Sequence, residues 1–279
     1  MRVAVVGIDG SGKTTVLRRA AERDGFAVVH AVRGHDDPNS PFAGLSRALA
    51  GASAAADAVG RIQLKVAVLF LQLCLYGPGE RHAAHRSAIV LADRHPLVDP
   101  LVYLPLFGHL ARNDEPGSDV AAWWHEQEPD AARAVRAWLE ARTGHTDPWT
   151  LGEELLRLGT RPPEEMLDRL THRFGVTPPH GVLLLDLPVQ QALRRTGERL
   201  RDSELHETAA FLTAARQRYE SVLDWLTRTH PDLTGQRIDC SGLSVDEVAD
   251  RVRDAVGALA AVRGPAARLP TTRPSGGSG

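Results

Sequence analysis

Short apolar runs alternate along this chain with longer segments whose apolar residues recur at helical spacing. Five such runs predict strands, at residues 2–6, 26–32, 87–92, 182–186 and 236–239. Because strands that alternate with helices form parallel sheets covered by helices, the pattern predicts an α/β fold with a doubly wound parallel sheet. The near-continuous apolar character of the strands agrees with burial on both faces of that sheet.

The segments between the strands predict the helices. They lie at residues 12–24, 42–55, 57–76, 119–142, 163–174, 188–200, 207–229 and 245–261. The segment 57–76 is apolar on most sides, which indicates a central, buried helix. We interpret residues 111–177 as a helical insertion. Residues 263–279 are rich in Pro, Arg, Gly and Ser and predict a disordered tail, which leaves residues 1–262 as one domain.

The first strand leads into segment 7–15, which reads GIDGSGKTT and fits the pattern G-x-x-x-x-G-K-[ST] without a mismatch. The strand before it and the helix after it supply the context that this phosphate-binding motif needs. The glycines let backbone N–H groups approach phosphate oxygens, and the helix N-terminus favours an anion. Lys13 is expected to reach the β- and γ-phosphates of a nucleotide, and the Thr14 hydroxyl to ligate Mg²⁺. The structural alternative is a simple glycine turn.

Carboxylates follow predicted strands at the edge where parallel sheets bind ligands. Asp93 ends the third strand, where it can hold Mg²⁺ or accept a proton from an attacking hydroxyl; the alternative is a helix cap. Arg94 can neutralise a transferred phosphoryl group. Asp9, inside the phosphate loop, can meet a phosphoryl acceptor or stabilise a turn. Asp186 also ends a strand, but Leu-Pro follows it as at a helix start, and we interpret it as structural.

The segment 194–207 places four arginines before an acidic cluster. In a nucleotide-dependent enzyme such a segment indicates a lid, whose arginines fold over the transferring phosphate and exclude water. Gly197 would supply flexibility there. The alternative is a solvated helix face with salt bridges.

The bulk properties exclude several classes of protein. A formal net charge of -2 over 279 residues gives no basic field to attract nucleic acid or an anionic membrane. The two cysteines, each within a predicted apolar element, do not indicate a disulfide framework. The first strand begins at the N-terminus without a signal peptide, and the longest apolar stretch, 66–76, is too short to span a bilayer. We therefore expect a cytoplasmic protein with no nucleic-acid or membrane partner.

Taken in order, the motifs resemble those of the thymidylate kinase family of P-loop nucleoside monophosphate kinases. Segment 7–15 is similar to that family's phosphate loop, including its internal acidic residue, and 93–95 (Asp-Arg-His) is similar to its Asp-Arg-aromatic motif. Segment 183–195 looks like the strand and helix that lead into the lid. The further matches are Phe211, Arg216 and Tyr219 of the helix after the lid, and segments 237–239 and 244–248 of the last strand and helix.

The resemblance implies a sheet order of 2-3-1-4-5 and a small-molecule acceptor, usually a nucleotide. It implies that ATP and Mg²⁺ are bound at Gly10, Ser11, Gly12, Lys13, Thr14 and Thr15. It places Asp9 and Arg33 beside the acceptor, and it makes Arg195 and Arg199 the lid arginines that assist transfer. Homodimerisation through the buried helices is usual in the family.

The sequence departs from the family where the acceptor should bind. Arg33 is followed by Gly-His-Asp-Asp-Pro instead of Glu-Pro-Gly-Gly. The buried helix lacks the family's Phe-x-x-x-Arg signature, and the residues nearest to it are Phe70, Gln72 and Arg81. About 100 residues separate Asp93 from the lid, more than family members need. The predicted function is therefore ATP-dependent phosphoryl transfer to a nucleoside monophosphate or a related small phosphorylated metabolite.

Two other functions fit the sequence. A deoxynucleoside kinase phosphorylates a hydroxyl and needs a carboxylate base, for which Asp93 is the candidate, with Gln72 reading the base edge. A nucleotide-dependent switch or scaffold would hydrolyse ATP slowly and use the Trp-bearing middle segment to bind a protein partner. The arginine-rich segment 194–207 argues against the switch, because a lid serves transfer to an acceptor.

Overall fold

The sheet of this protein has five parallel strands. The structure is a computed structural model that describes residues 1–37, 39–111, 115–197 and 208–263. The strands are β1 (Arg2–Val6), β2 (Ala27–His30), β3 (Val90–Asp93), β4 (Gly181–Asp186) and β5 (Thr234–Asp239). Their order is β2-β3-β1-β4-β5, which confirms the predicted fold class and the predicted sheet order. Every residue of β3 and β4 is buried, as their apolar runs require.

Helices connect the strands in the described part of the chain. They are α1 (Lys13–Asp24), α2 (Ala43–Val59), α3 (Ile62–Leu73), α4 (Tyr76–Ala84), α5 (Asp99–Leu110), α6 (Asp119–His125), α7 (Pro129–Thr143), α8 (Pro148–Leu158), α9 (Pro163–Phe174), α10 (Val189–Gly197), α11 (Ala209–Thr229) and α12 (Val245–Arg263). The bounds of the domain and of the tail stay predictions, because α12 runs to Arg263 and residues 264–279 lie outside the described residues.

The predicted helix 57–76 is wrong in its bounds. α2 continues to Val59 and ends at Gly60, whose φ of 75° is left-handed and closes the helix. α3 then ends at Leu73, and α4 begins at Tyr76, so that the Gly-Pro-Gly at 77–79 opens a helix instead of ending one. A proline costs nothing in a first turn, where its missing N–H has no partner to lose.

The middle segment, residues 111–177, is mostly helical where the structure describes it. The predicted helix 119–142 is two helices, because the Glu128 side chain caps the start of α7 at Pro129. Helix α8 was not predicted at all, although Asp147 caps its first turn. This segment covers the central helices: the Trp123 indole donates to the Ala52 carbonyl in α2 (2.8 Å), and the Trp138 indole donates to the Leu71 carbonyl in α3 (3.0 Å).

Asp186 has the structural role that the sequence indicated. Its carboxylate accepts two hydrogen bonds from Arg216 of α11, at 2.6 and 2.9 Å, and two from Arg237 of β5, at 3.0 and 2.5 Å. The cluster ties the carboxyl end of β4 to its two neighbouring elements. Burial would raise the pKa of Asp186, but these two arginines lower it below its ordinary value.

Among the described residues one stretch, Ile62–Ala84, is long and apolar enough by length and composition to cross a membrane, whereas the prediction from the run 66–76 alone was that it is too short. In the structure 83% of its most apolar window is buried inside the fold, as in the core helix of a soluble protein. Cys74 and Cys240 are both buried and free, in agreement with the expected absence of a disulfide between them.

Candidate functional site

The phosphate loop turns between β1 and α1 on glycines with left-handed backbone. Gly10 has a φ of 82° and Gly12 a φ of 87°, conformations that residues with a Cβ atom rarely adopt. A Cβ atom on Gly10 would lie 2.5 Å from the carbonyl oxygen of Ala192, so the loop packs directly on α10. Ser11 is buried within the turn, and its backbone N–H donates to the Ile8 carbonyl. This is a backbone cradle of the kind that binds phosphate.

Lys13 closes the loop from inside. Its Nζ donates hydrogen bonds to the carbonyl oxygens of Gly7 (2.8 Å) and Ile8 (2.9 Å). Burial and the Arg94 charge lower the pKa of Lys13, although carboxylates such as Asp9 at 3.9 Å oppose the shift. A phosphate oxygen binds an ammonium more strongly than a carbonyl does, so Lys13 is placed to exchange these bonds for a nucleotide phosphate.

A second cluster joins the start of α1 to the ends of β3 and β2. The Thr14 hydroxyl donates to Asp93 Oδ2 at 2.6 Å, and His30 Nδ1 lies 3.1 Å from the same oxygen. Thr15 follows in the first turn of α1. The register of the sheet produces this cluster, because Asp93 is level with Val5 in β1 and with His30 in β2.

The oxygens of this cluster fit Mg²⁺. Burial would raise the pKa of Asp93, but the His30 and Thr14 hydrogen bonds and the Lys13 charge lower it, so the carboxylate is ionised at neutral pH. A carboxylate and a hydroxyl are hard oxygen ligands, which Mg²⁺ prefers together with waters and phosphate oxygens. Among the described residues no group of three or more His, Cys, Asp or Glu side chains offers an all-protein metal site.

Arg94 lies between the phosphate loop and α5. Its backbone is left-handed, with a φ of 70°, the one non-glycine residue of the described chain with a positive φ. The guanidinium pairs with Asp9 and lies 3.4 Å from Asp99 Oδ1, above the ring of Tyr103. Burial opposes its charge, but Asp9 and Asp99 raise the pKa of Arg94 far above its ordinary value. The structure thus brings the predicted residues Asp9 and Arg94 together.

Asp99 was not predicted from the sequence. The carboxylate accepts a hydrogen bond from the backbone N–H of His95 at 2.6 Å and one from the Tyr219 hydroxyl at 2.7 Å. It also accepts a hydrogen bond from the Arg94 guanidinium. His30 was missed too. A signal existed for His30, which is a polar residue within the apolar run of β2 that precedes a ligand-binding edge. Asp99 begins α5, beyond the end of β3, and showed no such signal. His95 itself is buried on Tyr76, and burial lowers the pKa of its imidazole to about 3.

The lid arginines are described in part. A Cβ atom on Gly12 would lie 3.7 Å from Arg195 Nη1, which places that guanidinium at the phosphate loop as expected. Arg199 and most of the predicted lid, residues 198–207, lie outside the described residues. α11 begins after them at Ala209, capped by Thr208.

Two predicted acceptor residues do not join the cluster. Arg33 follows β2 at the correct edge of the sheet, but its side chain is 62% exposed and pairs with Asp36 at 2.9 Å. Arg81 is exposed on α4, next to Glu80, which pairs with Arg2 at the start of β1. The start of β1 is at the amino end of the strand, whereas the phosphate loop follows its carboxyl end, so Arg81 lies at the opposite end of the sheet from the loop.

The remaining pair, Phe70 and Gln72, lie on opposite sides of α3, because residues two apart in a helix point about 200° apart. Gln72 is buried, and its amide donates to the Leu49 carbonyl in α2 at 3.4 Å. Phe70 packs against Phe174 and lines a small apolar cavity of about 20 Å³ together with Tyr103. Since Tyr103 also lies under Arg94, this cavity adjoins the charged cluster.

No family model matches this sequence, and no curated protein matches it. Solved structures do match it. Deoxyadenosine kinase from M. mycoides, with products dCMP and a flexible dCDP bound, has a TM-score of 0.50 at 12% identity, over 92% of this chain and 100% of that chain. Thymidylate kinase from Candida albicans has a TM-score of 0.50 at 12% identity, over 92% of this chain and 91% of that chain. At this identity the likeness shows the fold alone, which is that of the P-loop nucleoside and nucleotide kinases.

Proposed function

We propose that this protein is an ATP- and Mg²⁺-dependent phosphotransferase that moves the γ-phosphoryl group of ATP to a nucleoside monophosphate or a related small phosphorylated metabolite. The observation that carries the proposal is the convergence of cations and carboxylates on one loop. Lys13, Arg94 and Arg195 approach the phosphate loop from three different elements, beside the Thr14–Asp93 pair.

These residues have the functions that phosphoryl transfer needs. The transition state is loose and carries its charge on the equatorial oxygens, so positioning and charge neutralisation supply most of the catalysis. Lys13 and Arg195 would neutralise the nucleotide phosphates, and Arg94 the group in transfer. Thr14 would hold Mg²⁺, with Asp93 beside it directly or through water. The cation would add charge neutralisation on the phosphate oxygens.

A hydroxyl acceptor is the second candidate, and one observation favours it. Arg94 is paired with Asp9 and Asp99, and Arg33 is paired with Asp36, so a phosphate on the acceptor would compete with carboxylates of the chain. An uncharged nucleoside would not. Asp93 would then serve as the base that takes the hydroxyl proton.

The test is ATP consumption with Mg²⁺ across a panel of nucleosides, nucleoside monophosphates and phosphorylated metabolites. Lys13→Ala is the control, and we expect it to lower turnover on the order of 100- to 1000-fold, as when one electrostatic donor is removed from an active site. The products are identified by chromatography, so that the acceptor is named directly.

The panel separates the candidates. Formation of a diphosphate from a monophosphate supports the proposal, and formation of a monophosphate from a nucleoside supports the second candidate. If no acceptor stimulates turnover while ATP is hydrolysed slowly, the proposal is wrong and a nucleotide-dependent switch with a protein partner takes its place.

A further inference from the structure

His30 is the last residue of β2, and the sheet register sets it beside Asp93 at the end of β3. Its Nδ1 lies 3.1 Å from Asp93 Oδ2, and its side chain is 12% exposed. Nothing in the resemblance or in the phosphate motif assigns a function to this histidine. It lies next to the Thr14–Asp93 pair, where its side chain can influence both residues.

The chemistry of the contact fixes which atom donates. An ionised carboxylate only accepts hydrogen bonds, so His30 Nδ1–H is the donor and Asp93 Oδ2 the acceptor. The Thr14 hydroxyl donates its single hydrogen to the same oxygen at 2.6 Å. That bond turns the lone pairs of the Thr14 oxygen away from Asp93, which leaves them available to a cation.

On one side the imidazole lines a small cavity of about 30 Å³ between β2 and α4, which His82 and Arg86 line as well. On the side toward β3 it makes the hydrogen bond to Asp93. The hydrogen bond to Asp93 is therefore the contact through which His30 can influence the Thr14–Asp93 pair.

We propose that His30 is a positioning residue of the magnesium–phosphate site: it holds the Asp93 carboxylate in the orientation in which Thr14 presents its oxygen to Mg²⁺. The inference rests on the proposed function, since it requires a nucleotide and a cation at this loop. Partners of this kind, one layer outside the metal ligands, typically change metal affinity by about 10- to 100-fold.

Three variants separate the hydrogen bond from the volume of the ring. His30→Asn keeps an N–H donor one bond beyond Cγ, as in the imidazole; His30→Gln moves that donor one atom further out; His30→Leu removes it. The measured quantity is the Kd of Mn²⁺ in the complex with a non-hydrolysable ATP analogue, by electron paramagnetic resonance. We expect His30→Leu to weaken Mn²⁺ binding by about tenfold or more and His30→Asn to stay close to the unaltered protein.

The control is His82→Leu, which alters the same cavity without a contact to Asp93 and should leave Mn²⁺ affinity unchanged. Thermal unfolding and metal-free nucleotide binding identify any variant that fails to fold. Equal Mn²⁺ affinity in His30→Leu and the unaltered protein overturns the inference, and so does a His30→Asn variant as weak as His30→Leu. If the unaltered protein itself binds no Mn²⁺ with the nucleotide, the proposed function fails together with the inference.

Discussion

The conformation of Arg94 is stabilised by its neighbours and not by the intrinsic backbone preference of an arginine. A left-handed backbone costs an arginine on the order of 1 kcal/mol, and burial of its charge costs more. Asp9 and Asp99 offset both costs, because each contributes a carboxylate to the guanidinium. Asp99 is in turn fixed by Tyr219 of α11. Arg94 is therefore positioned by Asp9 of the phosphate loop, by Asp99 of α5 and, through Tyr219, by α11.

Substitutions at Arg94 should separate catalysis from folding. Arg94→Lys keeps the charge but not the planar fork that reaches two carboxylates, so we expect kcat/KM to fall on the order of 100-fold with little change in the free energy of unfolding. Arg94→Met removes the guanidinium that pairs with the buried Asp99 carboxylate and should cost about 3–5 kcal/mol of stability. Steady-state kinetics and urea unfolding measure the two effects. Equal loss of stability in both variants would contradict this account.

His180 makes the fold sensitive to acid. Its Nδ1 accepts the backbone N–H of Arg2 at 3.1 Å, which joins the amino ends of β1 and β4. Burial, with the charges of Arg2, Arg263 and the N-terminus, lowers its pKa from 6.5 to about 4. Between these two pKa values the unfolded chain binds a proton at His180 that the folded protein does not bind. The contribution of His180 to stability is therefore fully present above pH 6.5 and is lost as the pH falls toward 4.

The matched variant is His180→Asn, whose amide oxygen can accept the same N–H without titrating. His180 is only half-buried, so solvent screens part of this shift, and we expect the unaltered protein to lose about 1 kcal/mol relative to His180→Asn between pH 7 and pH 5. Urea unfolding at both pH values gives the difference, and the exposed His172→Asn serves as the control. If the gap between the two proteins is the same at both pH values, His180 is not the sensor.

At the scale of elements, the unpredicted helix α8 is the main support of α3. The two backbones approach so closely that a Cβ atom on Gly152 would lie 2.1 Å from the carbonyl oxygen of Gln63. The sequence marked the start of α8 with an Asp-Pro pair, in which Asp147 caps and Pro148 opens the helix. Gly152 inside the segment argued against a helix by propensity, and tertiary packing outweighed that preference.

Gly152→Ala tests this packing. Because a backbone atom occupies the place of the new methyl group, we expect a loss of about 2 kcal/mol or more in the free energy of unfolding. Gly257→Ala is the matched control, since Gly257 is also inside a helix but exposed, with nothing within 4 Å of its Cβ position. That variant should gain about 0.5–1 kcal/mol. The midpoints of urea unfolding compare them, and a stabilised Gly152→Ala would refute the contact.

At the scale of the molecule, the helices of the middle segment cover the central helices. α3 is enclosed within its own chain by α2, α5, α7 and α8. A homodimer through the buried helices stays a prediction, and it would have to form on faces that these neighbouring helices leave uncovered. Large apolar side chains that are more than about 40% exposed are few in the described chain: Leu110, Val245 and Val262.

The sequence alone determined the phosphate loop and the strands, because these follow from a local motif and from periodicity. Lys13, Thr14 and Asp93 were found in this way, and the structure places them together. The order of the strands was implied by the resemblance to the thymidylate kinase family. Only the tertiary structure decided the partners of those residues. His30 meets Asp93 across 63 residues of sequence, and Tyr219 meets Asp99 across 120.

The acceptor side shows the physical reason for this limit. By sequence, Phe70, Gln72 and Arg81 are equally plausible acceptor residues. In the structure, the rotation along α3 places Phe70 in the wall of a cavity and Gln72 in the core. The break before α4 places Arg81 near the amino ends of the strands. A side chain's direction depends on where its helix begins and on what packs against it. Those are properties of distant contacts, which no local pattern contains.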